Sequence, residues 1–138
     1  MVSDRVAAAM TTSLSYLAWT IVLAIVQIVI AAAVKRPQDG MQWASGNRDD
    51  KDPAYTGLAG RMVRAQSNLY ETLPLFIGVV LLAHIVGRDT SLTAWGAGLY
   101  FWARLVYIPT YGLGLVPWRT IVWAVSVVGM VLVLISLA

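Results

Sequence analysis

Four polar residues stand at helical spacing inside an otherwise apolar stretch: Arg61, Arg64, Asn68 and Glu71. At about 100° per residue they fall within an arc of about 80° on one helix face. Glu71 lies about 15 Å beyond Arg61 along the axis, at about 1.5 Å per residue. Guanidinium groups take carboxylates and phosphates through paired N–H donors, and a carboxylate takes an ammonium or another guanidinium. A second stripe faces this chemistry: Tyr100, Arg104, Tyr107 and Tyr111 recur at steps of four, three and four. Arg104 lies deep in its apolar segment and needs a partner, for which Glu71 is the natural candidate. Arg119 and Thr120 open a further apolar segment after Pro117 and Trp118, adding a cation and a hydroxyl at the level of Arg61 and Arg64. Together these residues describe an anion-accepting pocket with a donor-rich wall.

Each residue alone also has a plain reading. A Glu71–Arg104 pair can serve packing alone. Arg61, Arg64 and Arg119 can snorkel at the headgroup level, and the tyrosines can be an interfacial belt. Their convergence on one end of the molecule is what favours a site.

The elements that position them are membrane helices. Of 138 residues, 59% are hydrophobic and 12% charged, against roughly 45–50% and 25% in soluble domains. Lipid must therefore be the solvent for most of the surface. Apolar segments run over residues 7–34, 58–86, 92–108 and 118–137, each at or near the roughly 17–25 residues a spanning helix needs. Helix is the state available to them, since open strands leave backbone groups unsatisfied in lipid. The expectation is an all-α integral membrane protein, one domain over residues 1–138, folded as an antiparallel up-down bundle of four transmembrane helices. The first helix should end at Lys35-Arg36-Pro37, and the third should start from Thr90 or Ser91 as cap. The Pro109–Pro117 segment reads as a loop. The run from Leu14 to Val34 is about 21 residues, too long for a leader's apolar core of about 7–15, so it reads as a retained span.

The connection over residues 35–60 holds the mixed-charge cluster Asn47–Asp52, read as a solvated loop because its spacing lacks the calcium-loop pattern. Lys35, Arg36, Arg48, Lys51, Arg61, Arg64 and Arg119 gather on one side, against Arg5 and Arg88 on the other. That asymmetry puts the first and third connections in the cytoplasm and both termini outside it.

Several classes are excluded. There is no cysteine, hence no thiol nucleophile or disulfide framework, and a lone His84 makes no metal site. His84 lies about 140° round its helix from Arg61 and reads as a residue of core packing or of an interface. A net charge of +3 without a dense basic stripe does not suggest nucleic acid. Gly96, Gly98 and Gly129 read as points of close helix contact.

The segment Arg61-x-x-Arg64-Ala65-Gln66-x-Asn68-x-x-Glu71-x-x-Pro74-Leu75-Phe76, with Ala103-Arg104-Leu105-x-Tyr107-x-x-x-Tyr111, resembles the MAPEG family, the membrane-associated proteins of eicosanoid and glutathione metabolism. The chain length and four-helix layout agree, so the resemblance covers nearly all of the chain, in the manner of a short bacterial member. It implies a homotrimer in the cytoplasmic membrane, with glutathione bound between subunits near the cytoplasmic face. Arg64, Asn68, Glu71, Tyr107 and Tyr111 would contact glutathione, with Arg104 and Arg61 supporting the pocket. Gln66, about 160° from Asn68, would reach a neighbouring site, and Lys35 or Arg36 would supply a first-helix cation from the adjacent subunit. Arg119 would be the catalytic arginine and Thr120 the hydroxyl after it. Thr72 departs from the tyrosine of the leukotriene synthase branch, and the first connection is longer than in the eicosanoid enzymes.

The resemblance implies a glutathione transferase or peroxidase acting on a hydrophobic electrophile or lipid hydroperoxide. A non-catalytic membrane protein that holds a lipid or anionic metabolite in the same pocket is the alternative. A transporter subunit is a third reading, with Pro74 as its one helix break.

Overall fold

The computed structural model describes residues 10–49 and 54–138. Those residues form five helices: α1 (Thr12–Asp39), α2 (Met41–Ser45), α3 (Gly57–Ile85), α4 (Ser91–Gly112) and α5 (Val116–Ile135), with no strand among them. Three helices, α1, α3 and α5, are long and apolar enough to cross a membrane. The fourth, α4, has 22 residues but is less apolar. Its tyrosines, tryptophans, glycines and Arg104 lower its hydropathy, while its 22 residues keep the length of a span.

Hydrogen bonds at the two ends fix an up-down arrangement. At one end Asp89 accepts from Thr11 Oγ1 and Ser13 Oγ, each at 2.6 Å, which ties the start of α1 to the α3–α4 turn. The Thr93 hydroxyl lies 2.8 Å from Ser136 Oγ, joining α4 to the end of α5. At the other end the Gln38 amide pairs with both backbone groups of Thr56, and Arg61 Nε donates to the Gly112 carbonyl at 2.8 Å. Arg61 there satisfies a carbonyl that the C-terminus of α4 leaves unpaired.

Between the ends the core is small and aromatic. Phe76 stacks on Tyr100 with centroids 3.9 Å apart, beside Leu17, Val80, Ala83, Ala97 and Val133. The expected glycine contacts are present. A Cβ on Gly96 would stand 2.6 Å from the Gly129 carbonyl oxygen, and one on Gly129 would stand 2.7 Å from Gly96 O and from Tyr100 N. Only glycine at both positions lets α4 and α5 approach so closely.

Four helix ends differ from the sequence expectation. α1 starts at Thr12, because the Thr11 side chain accepts from the Leu14 N–H and caps it. It then runs through Pro37 to Asp39 and stops at Gly40, whose φ of 73° favours glycine. α4 likewise runs through Pro109 to Gly112, so the loop before α5 is short. A proline removes one i to i−4 bond, and near a helix end that loss is small enough for the helix to continue. α5 begins at Val116 with Pro117 in its first turn, where a missing N–H is harmless. α3 also stays continuous across Pro74, so the helix break proposed for a transporter is not there. Thr90 caps α4 as expected, its backbone N–H held by Thr93 Oγ1 at 3.0 Å.

Candidate functional site

Because α4 stays helical through Pro109, Tyr100, Arg104, Tyr107 and Tyr111 form one continuous stripe. It packs against the face of α3 that carries Asn68 and Thr72. Arg104 is the largest of the almost fully buried side chains, 2% exposed. Its Nη1 donates to Asn68 Oδ1, and its Nη2 donates to the Asn68 carbonyl and to Thr72 Oγ1, each at 2.8 Å. Thr72 Oγ1 in turn lies 2.8 Å from the Tyr100 hydroxyl. The guanidinium carbon sits 5.1 Å from the Tyr107 ring centroid and 5.7 Å from that of Tyr100, within cation–π range.

This corrects the expected Glu71–Arg104 pair. Glu71 is exposed and forms no ion pair with Arg104. Asn68 and Thr72 face α4, while Glu71 lies about 60° farther round α3 than Asn68 and about 100° from Thr72. The buried guanidinium is therefore held by neutral oxygens and ring faces.

Toward the α4–α5 turn the second cluster gathers round Tyr111. Arg64 Nε donates to the Tyr111 hydroxyl at 3.3 Å, and the Arg119 guanidinium carbon lies 5.0 Å from the Tyr111 ring centroid. Tyr107 is 5.4 Å from Tyr111, centroid to centroid. Among the described residues no carboxylate forms an ion pair with any arginine. Arg61, Arg64, Arg104 and Arg119 thus concentrate positive charge along one side of the bundle without an acidic partner.

The profile of the MAPEG family matches residues 16–138. The chain belongs to the MAPEG family. This makes it a membrane protein of the eicosanoid and glutathione metabolism type, a family that generally uses glutathione. No curated protein and no solved structure matches the chain significantly.

For a MAPEG protein, the remaining sequence-derived residues divide into those gathered and those set apart. Arg61, Arg64, Asn68, Arg104, Tyr107, Tyr111 and Arg119 come together as described. Thr120 is exposed at the start of α5. Gln66 lies on the outer side of α3, where its Nε2 donates to the Tyr70 hydroxyl at 2.9 Å. Arg36 stands apart near the end of α1, lining a hollow of about 310 Å³ with Pro37, Gly40 and Met41. Lys35 lies over the Tyr55 ring at 5.6 Å, and Tyr55 donates to Asp39, so the connection folds back on the end of α1. Of the mixed-charge cluster, Asp50, Lys51 and Asp52 lie outside the described residues.

His84 is not a core residue. It is part-exposed at the far end, 3.4 Å from the Asp89 carboxylate. Burial pushes the Asp89 carboxyl up, but the Ser13, Thr11 and His84 hydrogen bonds outweigh it and hold the group below its usual 3.8.

Thr72 is the residue whose part was missed. It stands four residues after Asn68, as Tyr100 stands four before Arg104, and that shared spacing was the available signal.

Proposed function

We propose that this protein binds glutathione against Arg64, Asn68, Tyr107, Tyr111 and Arg119, and activates its thiol toward a lipid-soluble acceptor. The observation that carries this reading is the run of arginines with no carboxylate paired to them among the described residues. Cations held in a low-dielectric bundle favour an anionic ligand, and glutathione brings two carboxylates. Arg64 and Asn68 supply donors for them, and exposed Glu71 suits the ammonium.

A free thiol of pKa about 8.5 is mostly protonated at neutral pH, and a nearby guanidinium favours the thiolate. Arg119 fills that role, aided by the positive end of α5, whose first turn it occupies. The thiol proton passes to solvent. The sulfur then bonds to an electrophilic carbon as that carbon's bond to its leaving atom breaks. Reduction of a lipid hydroperoxide is the same nucleophile's other outlet: the sulfur bonds to the terminal peroxide oxygen as the O–O bond breaks, the alcohol leaves with a proton from solvent, and a second glutathione thiol displaces water from the resulting sulfenic acid to form the disulfide.

The family's trimer is part of the proposal. Gln66 and Tyr70 present a hydrogen-bonded polar pair on the exposed side of α3, which suits contact with a second copy. Arg36, exposed near the end of α1, is placed to serve a neighbouring pocket. The Lys/Arg asymmetry sets the site end in the cytoplasm and both termini outside, in what we take to be a bacterial inner membrane. Titration of the detergent-purified protein with glutathione, followed by calorimetry and by thiolate ultraviolet absorbance, tests the reading. Binding with thiolate formation supports it. Binding without thiolate favours a non-catalytic carrier of an anionic metabolite, and absence of binding overturns it.

A further inference from the structure

We propose that Arg104 is a positioning residue that fixes which end of the Asn68 amide meets the ligand, making this subsite specific for a carboxylate or amide carbonyl oxygen. The inference rests on the glutathione reading for the ligand's name, but not for the geometry.

Arginine has N–H donors and no acceptor. Its contact at 2.8 Å with the Asn68 side chain must therefore engage Oδ1. The other prong of that amide is then the NH2 group. Asn68 is part-exposed, and no acceptor among the described residues engages that group. The guanidinium itself is 2% exposed and cannot reach a ligand from there. It acts at one remove, by turning a side chain with two possible faces into a donor.

The guanidinium is in turn prevented from rotating. Nη2 is shared between the Asn68 carbonyl and Thr72 Oγ1, and Thr72 is braced by the Tyr100 hydroxyl at 2.8 Å. The Tyr107 and Tyr100 rings stand within 5.1 and 5.7 Å of its carbon. Its Nε is buried with no partner. A buried charge with an unmet donor is costly, which marks Arg104 as kept for more than packing.

The same geometry makes a ligand-free prediction. In Asn68→Asp, a carboxylate meets the guanidinium where the amide oxygen was, while the ligand-facing donor becomes an acceptor. The variant should be at least as heat-stable as the parent and clearly more stable than Asn68→Ala, yet bind glutathione at least about tenfold more weakly.

Arg104→Lys keeps the charge and loses the fork. It should weaken glutathione about tenfold in the parent, but less than about twofold in an Asn68→Ala background, because the effect passes through Asn68. Equal weakening in both backgrounds overturns the proposal, as does an Asn68→Asp protein no more stable than Asn68→Ala. If the parent binds no glutathione, the functional reading fails. The stability comparison of Asn68→Asp with Asn68→Ala then still decides the geometry.

Discussion

Replacing Thr72 with valine keeps the shape of the side chain and removes one oxygen. In the folded protein that oxygen accepts from Arg104 Nη2 and bonds with the Tyr100 hydroxyl, both at 2.8 Å. Hydrogen bonds to a charged group contribute roughly 1.5–3 kcal/mol. Neutral bonds between membrane helices average only about 0.6 kcal/mol. Losing both should cost about 2–3.5 kcal/mol, on these magnitudes. At about 1.4 kcal/mol per decade, that lowers the folded-to-unfolded ratio by roughly 30- to 300-fold. Thr72→Ser keeps the acceptor and should lose less than about 1 kcal/mol. Tyr100→Phe loses only the neutral bond and keeps the stack on Phe76, so about 0.6 kcal/mol is expected. The assay is reversible denaturation of the detergent-solubilised protein, followed by helical circular dichroism. The ordering is the test: if Tyr100→Phe costs as much as Thr72→Val, the hydroxyl pair matters and the guanidinium does not. A Thr72→Val protein within about 0.5 kcal/mol of the parent would refute the account of how Arg104 is held.

Glu71→Leu should leave thermal stability unchanged, since Glu71 is exposed and unpaired with Arg104, while glutathione titration shows weakened binding. Arg119→Ala should raise the pKa of bound glutathione and cut turnover while affinity stays within about tenfold, or about 1.4 kcal/mol. Arg64→Ala should weaken binding itself, and absorbance and calorimetry separate the two. Gly129→Ala forces a methyl to within 2.7 Å of two backbone atoms, so a loss of about 1–3 kcal/mol is expected in the denaturation assay. Asp89 is depressed below 3.8 in the fold, so its contribution is present above the unfolded value and lost as pH falls through the lower folded value. Asp89→Asn should reduce stability at pH 6 and flatten that acid limb.

The helices and the two polar stripes were legible in the sequence because helical periodicity sorts residues by face without knowledge of what they touch. Spacing located Asn68 opposite Arg104's stripe and placed Tyr107 and Tyr111 together. It could not say which edge of the Arg61–Glu71 arc turns inward, and that ambiguity produced the mistaken Glu71–Arg104 pair. The proline boundaries at Pro37 and Pro109 failed for a different reason. A proline signals one missing bond, and whether a helix absorbs it depends on how close its end already is. The Thr11 cap was hidden because a threonine inside an apolar run carries no periodic signature. The His84–Asp89 contact was not legible because Asp89 lies in a turn that periodicity does not describe.

The contact between Gly96 and Gly129 has a mechanical consequence at the opposite end of the molecule. Two rods in backbone contact with no room for a methyl cannot close further at that crossing, so Gly96 and Gly129 set how near α4 and α5 stand there. Tyr111 rides on one rod and Arg119 on the other, with Tyr111 about 22 Å along its helix from Gly96. On the proposed function, the spacing of a ring and a cation that would meet one sulfur atom is thus gauged by two residues that never approach it. Arg64 and Glu71 stand exposed on α3, outside that glycine-set pair. On the proposed function, the residues that capture the ligand and the span across which the thiol would be activated then stand on different helices.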